Sequence, residues 1–207
     1  MIIAARIRAS APVVVVAVAM IPWLTSGRTA RADVVTDWNI KAGDIVSDAR
    51  LPAPPCNRVL AIVQTTVFQA VNSITRRYPS DRVQIDVAAG ASVDAAVAAA
   101  NRATLVDLLP AQEAAIDAAY REALAKVADG SAKTAGIEAG NKAAAAVLAS
   151  RAHDGADAAE SYRPYSSAGV YVPTSIPLVT QWPHRQPWLM TSPSQFRPGP
   201  PLLGNRR

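Results

Sequence analysis

The chain has 207 residues, half of them apolar, and 21 Lys and Arg against 16 Asp and Glu give it a formal net charge of +5. That length and apolar content suit one folded domain of medium size and exclude a disordered chain. With only two Phe, four Trp and five Tyr, a core must come from close helix contacts rather than from large aromatic side chains.

Residues 1–32 read as a signal peptide. Arg6 and Arg8 form a basic start, residues 11–24 an apolar run broken by Pro12 and Pro22, and Ala30-Arg31-Ala32 offers the small residues a signal peptidase accepts. The unbroken run 13–21 is far shorter than the roughly 20 apolar residues of a spanning helix, so no stable membrane span is expected after cleavage. The expected location is exported, periplasmic or secreted. Arg6, Arg8, Arg28 and Arg31 all lie in the leader, which has no acidic residue; without them 17 basic residues of the 21 face 16 acidic ones, for a net charge of +1. The whole-chain pI near 9.7 is therefore no sign of a nucleic-acid binder, and no basic stripe with interleaved aromatics remains.

The mature chain predicts a helical domain over residues 33–157. The first helix covers 33–49, with Val34, Val35, Trp38, Ile45 and Val46 at roughly helical intervals. Leu51-Pro52-Ala53-Pro54-Pro55 is expected to end it. The single thiol, Cys56, can make neither an internal disulfide nor a zinc site alone. A second helix is expected over 57–74, capped by Asn57, with Val59, Ile62, Val63, Thr66, Ala70 and Ile74 along one stripe. Residues 76–89 read as a loop. A third helix begins near Ser92 and carries Val93, Val97, Ala100, Thr104, Leu105 and Leu108. Pro110 opens a fourth, with Ile116, Tyr120, Leu124 and Val127 as its buried stripe. Gly130 should close that helix and Ser131 cap a fifth. In the fifth, Ala139, Ala143, Ala146 and Ala149 with Val147 and Leu148 make a thin face that admits a close partner helix. Gly155 is placed to end it in a left-handed conformation, with Arg151 and His153 favouring the negative end of the helix dipole.

Beyond residue 157 the composition shifts. Residues 158–207 hold prolines 164, 173, 177, 183, 187, 193, 198, 200 and 201 with Trp182, Trp188 and Phe196. So much proline precludes a helix or a central strand, and so many aromatics mark an extended strap that packs onto something. The expected architecture is thus all-α, a bundle of about five helices followed by an extended Pro/Trp-rich strap.

Few residues carry chemistry. His153 with Asp154 and Asp157 has metal-ligand types, yet on a helix terminus this reads as solvated capping. His184 beside Arg185 could meet an anion, but no second cation is fixed nearby in sequence. Asp37, Asp44 and Asp48 share a helical face without the glycine-turned loop of a calcium site and read as a wet face. No phosphate-cradling glycine loop, Gly-x-Ser-x-Gly elbow or Cys-x-x-Cys pair occurs. No catalytic, cofactor-binding or metal residue is assigned.

Several stretches together resemble the amino-terminal half of exported bacterial vanadium-dependent haloperoxidase-like proteins, relatives of the type-2 phosphatidic acid phosphatases. They are Val35-Thr36-Asp37-Trp38-Asn39, Arg58-Val59-Leu60-Ala61-Ile62-Val63, Phe68-Gln69-Ala70-Val71-Asn72, Gly136-Ile137-Glu138-Ala139-Gly140, Ala152-His153-Asp154-Gly155, the strap around Trp182-Pro183 and Trp188, and Gln195-Phe196-Arg197-Pro198-Gly199-Pro200-Pro201. The resemblance implies a helical bundle that holds an oxyanion, vanadate in a peroxidase or substrate phosphate in a phosphatase. In that family Lys-x6-Arg-Pro binds the anion, Ser-Gly-His supplies an acid/base His, and Arg-x5-His supplies the His that ligates vanadium or attacks phosphorus. This sequence lacks all three. Arg163-Pro164 and Arg197-Pro198 are preceded at seven positions by Ala156 and Met190, and the only histidines, His153 and His184, sit in neither motif. The expectation is a truncated member, inactive alone, with vanadate belonging only to an intact peroxidase relative. Its partner would be a separately encoded catalytic half or a second copy. The alternative is a non-catalytic exported helical protein that binds through the Trp/Pro-rich strap.

Overall fold

The computed structural model describes residues 33–79 and 84–199. The signal peptide assigned to 1–32 and the tail from 200 lie outside the described residues. The expected all-α architecture is observed, with five α-helices and no strand among the described residues.

Helix α1, Val34–Asp48, starts where the Asp33 carboxylate accepts a hydrogen bond from the Thr36 amide at 2.9 Å. This satisfies one of the donors that a helix start leaves open. It buries Trp38, Ala42, Ile45 and Val46, while Asp37, Asp44 and Asp48 stay exposed on the wet face read from their spacing.

Helix α2, Ala53–Thr75, begins four residues before the sequence suggests, and Asn57 lies inside it rather than capping it. Pro54 and Pro55 occupy its first turn. Amides there have no partner within the helix, so prolines that stop one helix also start the next without losing a bond. At its far end Arg76 adopts a left-handed φ of 49°. The Asn72 amide then pins the departing chain, donating to the Tyr78 carbonyl at 3.0 Å and accepting from the Tyr78 amide at 2.9 Å.

Helix α3, Val93–Leu108, begins beside Ser92 as expected, and the Ser92 hydroxyl caps it, accepting from the Ala95 amide at 3.2 Å. It is the axis of the bundle. Ala95 through Asn101 are all buried, so α3 is enclosed on every side rather than along the single stripe its larger residues mark. Alanine and glycine make that enclosure possible. Helix α5, Ser131–Arg151, lies against α3 through Gly136 and Gly140; a Cβ on Gly136 would stand 2.3 Å from the Ser92 carbonyl oxygen and one on Gly140 2.4 Å from that of Ala96. The thin face expected on α5 is therefore real, but its centre is Gly136, Ala139, Gly140, Ala143 and Ala144, while Ala149 is exposed. Ser131 does not cap α5: it is the first helical residue, and Gly130 precedes it at φ 148°.

Helix α4, Glu113–Ala125, follows a single 3-10 turn at Pro110–Gln112 and buries only Ile116 fully. It ends at Ala125, five residues before Gly130. A polar step crosses the core, where Thr104 Oγ1 donates to Thr66 Oγ1 at 3.2 Å and Thr66 to the Ile62 carbonyl at 2.9 Å. The main apolar cluster draws on α1 to α5 and on no residue after Ala143.

Candidate functional site

At the end of α5 the chain turns sharply. The helix ends at Arg151 with Ala152 in a right-handed conformation, so Gly155, although left-handed at φ +85° as expected, shapes the turn that follows rather than ending the helix. Between them Asp154 is carried inward. It is 2% exposed, whereas His153 and Asp157 on either side face solvent. The reading of all three as solvated capping thus fails for Asp154, because a tight turn after a helix sends neighbouring residues in opposite directions.

Three guanidinium groups from three separate segments meet this one carboxylate. Arg58, in the first turns of α2, donates through Nε to Asp154 Oδ2 at 3.0 Å and through Nη2 to the Arg151 carbonyl at 3.1 Å. Arg151, in the last turn of α5, stands with Nε 3.4 Å from Asp154 Oδ2. Arg185, in the strap, donates through Nη2 to Asp154 Oδ2. The Asp154 side chain also turns on itself, accepting from the Ala156 amide at 3.1 Å.

The strap adds two aromatic plates. The Arg151 guanidinium carbon lies 3.7 Å from the centre of the Trp188 ring, and that of Arg185 lies 4.3 Å from the Trp182 ring. Such stacking favours a desolvated guanidinium by about 0.5–2 kcal/mol each. Trp188 Nε1 donates to Thr65 Oγ1 on α2 at 3.1 Å. Main-chain groups complete the join: Arg151 Nη2 donates to the Gln186 carbonyl at 2.7 Å, the Gln186 amide to the Asp154 carbonyl at 2.9 Å, and Gln181 Nε2 to the Ala156 carbonyl at 3.1 Å. The strap therefore packs Trp188 onto the helices, Trp182 stacks on Arg185 within the strap, and Phe196 stays 77% exposed.

Electrostatics explains why a carboxylate survives burial here. Desolvation alone would raise its pKa, but the hydrogen bonds and charges of Arg58 and Arg185 outweigh that and hold Asp154 below the usual aspartate range. Burial likewise draws the Arg151 guanidinium below its ordinary value, against the pull of Asp154. Because the folded pKa of Asp154 is depressed, its contribution to stability is complete above the unfolded value, about 3.9, and fades as pH falls through the folded one. Fluorescence of the strap tryptophans followed from pH 7 to pH 3 should show release of the strap only below about pH 4, and Asp154→Asn should remove that transition.

The node answers the question raised by His184 and Arg185. His184 is exposed, and Arg185 is 8% exposed and faces an internal anion, Asp154. Cys56 is a free thiol whose Sγ lies 3.3 Å from the Leu51 carbonyl oxygen. Arg58 is invisible to a reading based on periodicity: it lies 96 residues from Asp154, and no local pattern marks a partner so distant. Among the described residues no helix is long and apolar enough to cross a membrane. No family model matches the chain, and no match was found among curated proteins or solved structures.

Proposed function

We propose that the chain is the helical scaffold of an exported oxyanion enzyme of the vanadium-dependent haloperoxidase and type-2 phosphatidic acid phosphatase kind, inactive alone and completed by a catalytic half that carries the anion-binding motifs. The supporting observation is a convergence. Arg58, Asp154, Trp182 and Trp188 come from three separate stretches that carry the resemblance, and they meet in one node. A shared architecture accounts for such residues standing at those places in the chain.

The node does not fit vanadate or phosphate. The Asp154 carboxylate already occupies the point where the three guanidiniums meet, and two indole rings cover Arg151 and Arg185. Further donors go to the carbonyls of Arg151, Gln186 and Pro187, and the donors without a hydrogen-bond partner, Arg151 Nε and Arg185 Nε, are buried. An oxyanion cradle needs donors open toward the ligand and no carboxylate standing in the ligand's place, where its negative charge would repel a second anion. Oxyanion chemistry accordingly belongs to the second half, and this chain contributes the scaffold.

The docking side for that half is the outer surface of the strap. Ile176, Leu189 and Phe196 are 87%, 88% and 77% exposed, with Tyr165, Tyr171 and Leu178 also outward. Large apolar side chains left this exposed in one segment support its reading as an interaction surface. The test begins with the DNA flanking the coding region, translated in all frames. Lys-x6-Arg-Pro, Ser-Gly-His and Arg-x5-His in the flanking sequence, and a product carrying them that co-purifies with this chain and gives vanadate-dependent bromide oxidation by added hydrogen peroxide or phosphate-ester hydrolysis, are the expected results. Absence of those motifs, or a purified chain that is monomeric and binds no hydrophobic dye, overturns the proposal. The strap would then serve a non-catalytic binding protein.

A further inference from the structure

We infer that the Asp154 node is a clasp: the strap segment carrying Trp182, Arg185 and Trp188 can leave the helices as a unit while the bundle stays folded. This goes beyond the enzyme reading and holds whether or not a catalytic half exists. The geometry divides the node into two faces. One belongs to the bundle and comprises Arg58 and Thr65 on α2 with Arg151 and Asp154 at the end of α5. The other belongs to the strap and comprises Arg185, the two indoles and the carbonyls of Gln186 and Pro187.

Three observations give the strap its independence. The main apolar cluster contains no strap residue, so undocking removes none of its side chains. Gly155 lies between the two faces in a left-handed conformation, with its Cβ direction toward the Arg185 backbone at 3.5 Å, and forms a natural hinge. The chain from Ala156 to Gln181 is an excursion without regular structure, tied at its base by the Gln181 to Ala156 hydrogen bond. Segments with few apolar contacts open at lower free energy than the core they lean on.

One carboxylate is the charged centre of a join that the Trp188 to Thr65, Arg151 to Gln186 and Gln186 to Asp154 hydrogen bonds complete. With the strap docked, Asp154 faces Arg58, Arg151 and Arg185; with it undocked, Arg58 and Arg151 remain beside Asp154, so the bundle face keeps its own ion pairs. Opening would expose that cationic face together with Thr65, and would turn both indoles outward. A buried pair that loses one partner weakens strongly, so a single strap substitution should suffice.

Hydrogen exchange on the full chain tests this, comparing wild type with Arg185→Gln, altered only on the strap face, and Asp154→Asn, altered at the pin. The Gln186 amide, which bonds across the two faces to the Asp154 carbonyl, should exchange about 100-fold faster in both variants, with amides of α2, α3 and α5 unchanged in Arg185→Gln. If the helices lose protection in step with the strap in Arg185→Gln, the two are one cooperative unit and the clasp is refuted. Unchanged strap exchange in that variant refutes it equally.

Discussion

Gly140→Ala should destabilise the bundle by about 1–3 kcal/mol, even though alanine is the better helix former by about 1 kcal/mol. The added methyl would sit 2.4 Å from the Ala96 carbonyl oxygen, 2.8 Å from the Ala100 nitrogen and 2.8 Å from the Ala99 Cβ. Two of those three neighbours are backbone, so no side chain can rotate away, and α3 and α5 must move apart along their length. Gly43, inside α1, has nothing within 4 Å of its Cβ position. There the same substitution should stabilise by about 0.5–1 kcal/mol. Thermal unfolding followed by circular dichroism reads both, at about 2–4 °C per kcal/mol for a chain of this size. Shifts of the same sign would contradict the packing described.

Ile116→Ala should cost about 2–5 kcal/mol. Ile116 is the one fully buried residue of α4, and the remaining contacts of that helix are partial: Ala119, Tyr120, Ala123 and Leu124 lie against the cluster without being enclosed. The other tie to α3 is Arg102, which meets Asp117 at 2.7 Å and stacks over Tyr120 at 5.3 Å. That pair is partly exposed, and Arg102→Ala should cost about 1 kcal/mol. Denaturant titration of the two variants should therefore separate widely. Similar midpoints would mean that α4 is held by its charged edge rather than by one isoleucine.

The helices are legible in the sequence because periodicity and capping are local. The apolar stripe beginning near Ser92 places α3, and the stripe of Val34, Val35, Trp38, Ile45 and Val46 places α1 to within one residue at each end. The start of α2 is easily misplaced because proline reads as a breaker, although in a first turn it is compatible with the helix. The enclosure of α3 is hidden for a related reason: a run of alanines has no strong face, and only the approach of Gly136 and Gly140 reveals that each alanine is covered. The Asp154 node is the least legible part. Its members are ordinary when taken singly, a helix-end arginine, an aspartate before a glycine and two tryptophans among prolines, and only folding brings them within bonding distance.

The separations within that node carry a kinetic consequence. Arg58 and Asp154 are 96 residues apart, and Trp188 and Thr65 are 123 apart, whereas the turns and caps of each helix close over three or four. Loop-closure entropy makes such distant pairings slow to form, and helices rich in local contacts form first. On the ribosome, too, Arg185 and Trp188 emerge only after all five helices have been synthesised. Docking of the strap is in this sense the last step of assembly, and the three-arginine node reports that the earlier steps have already succeeded.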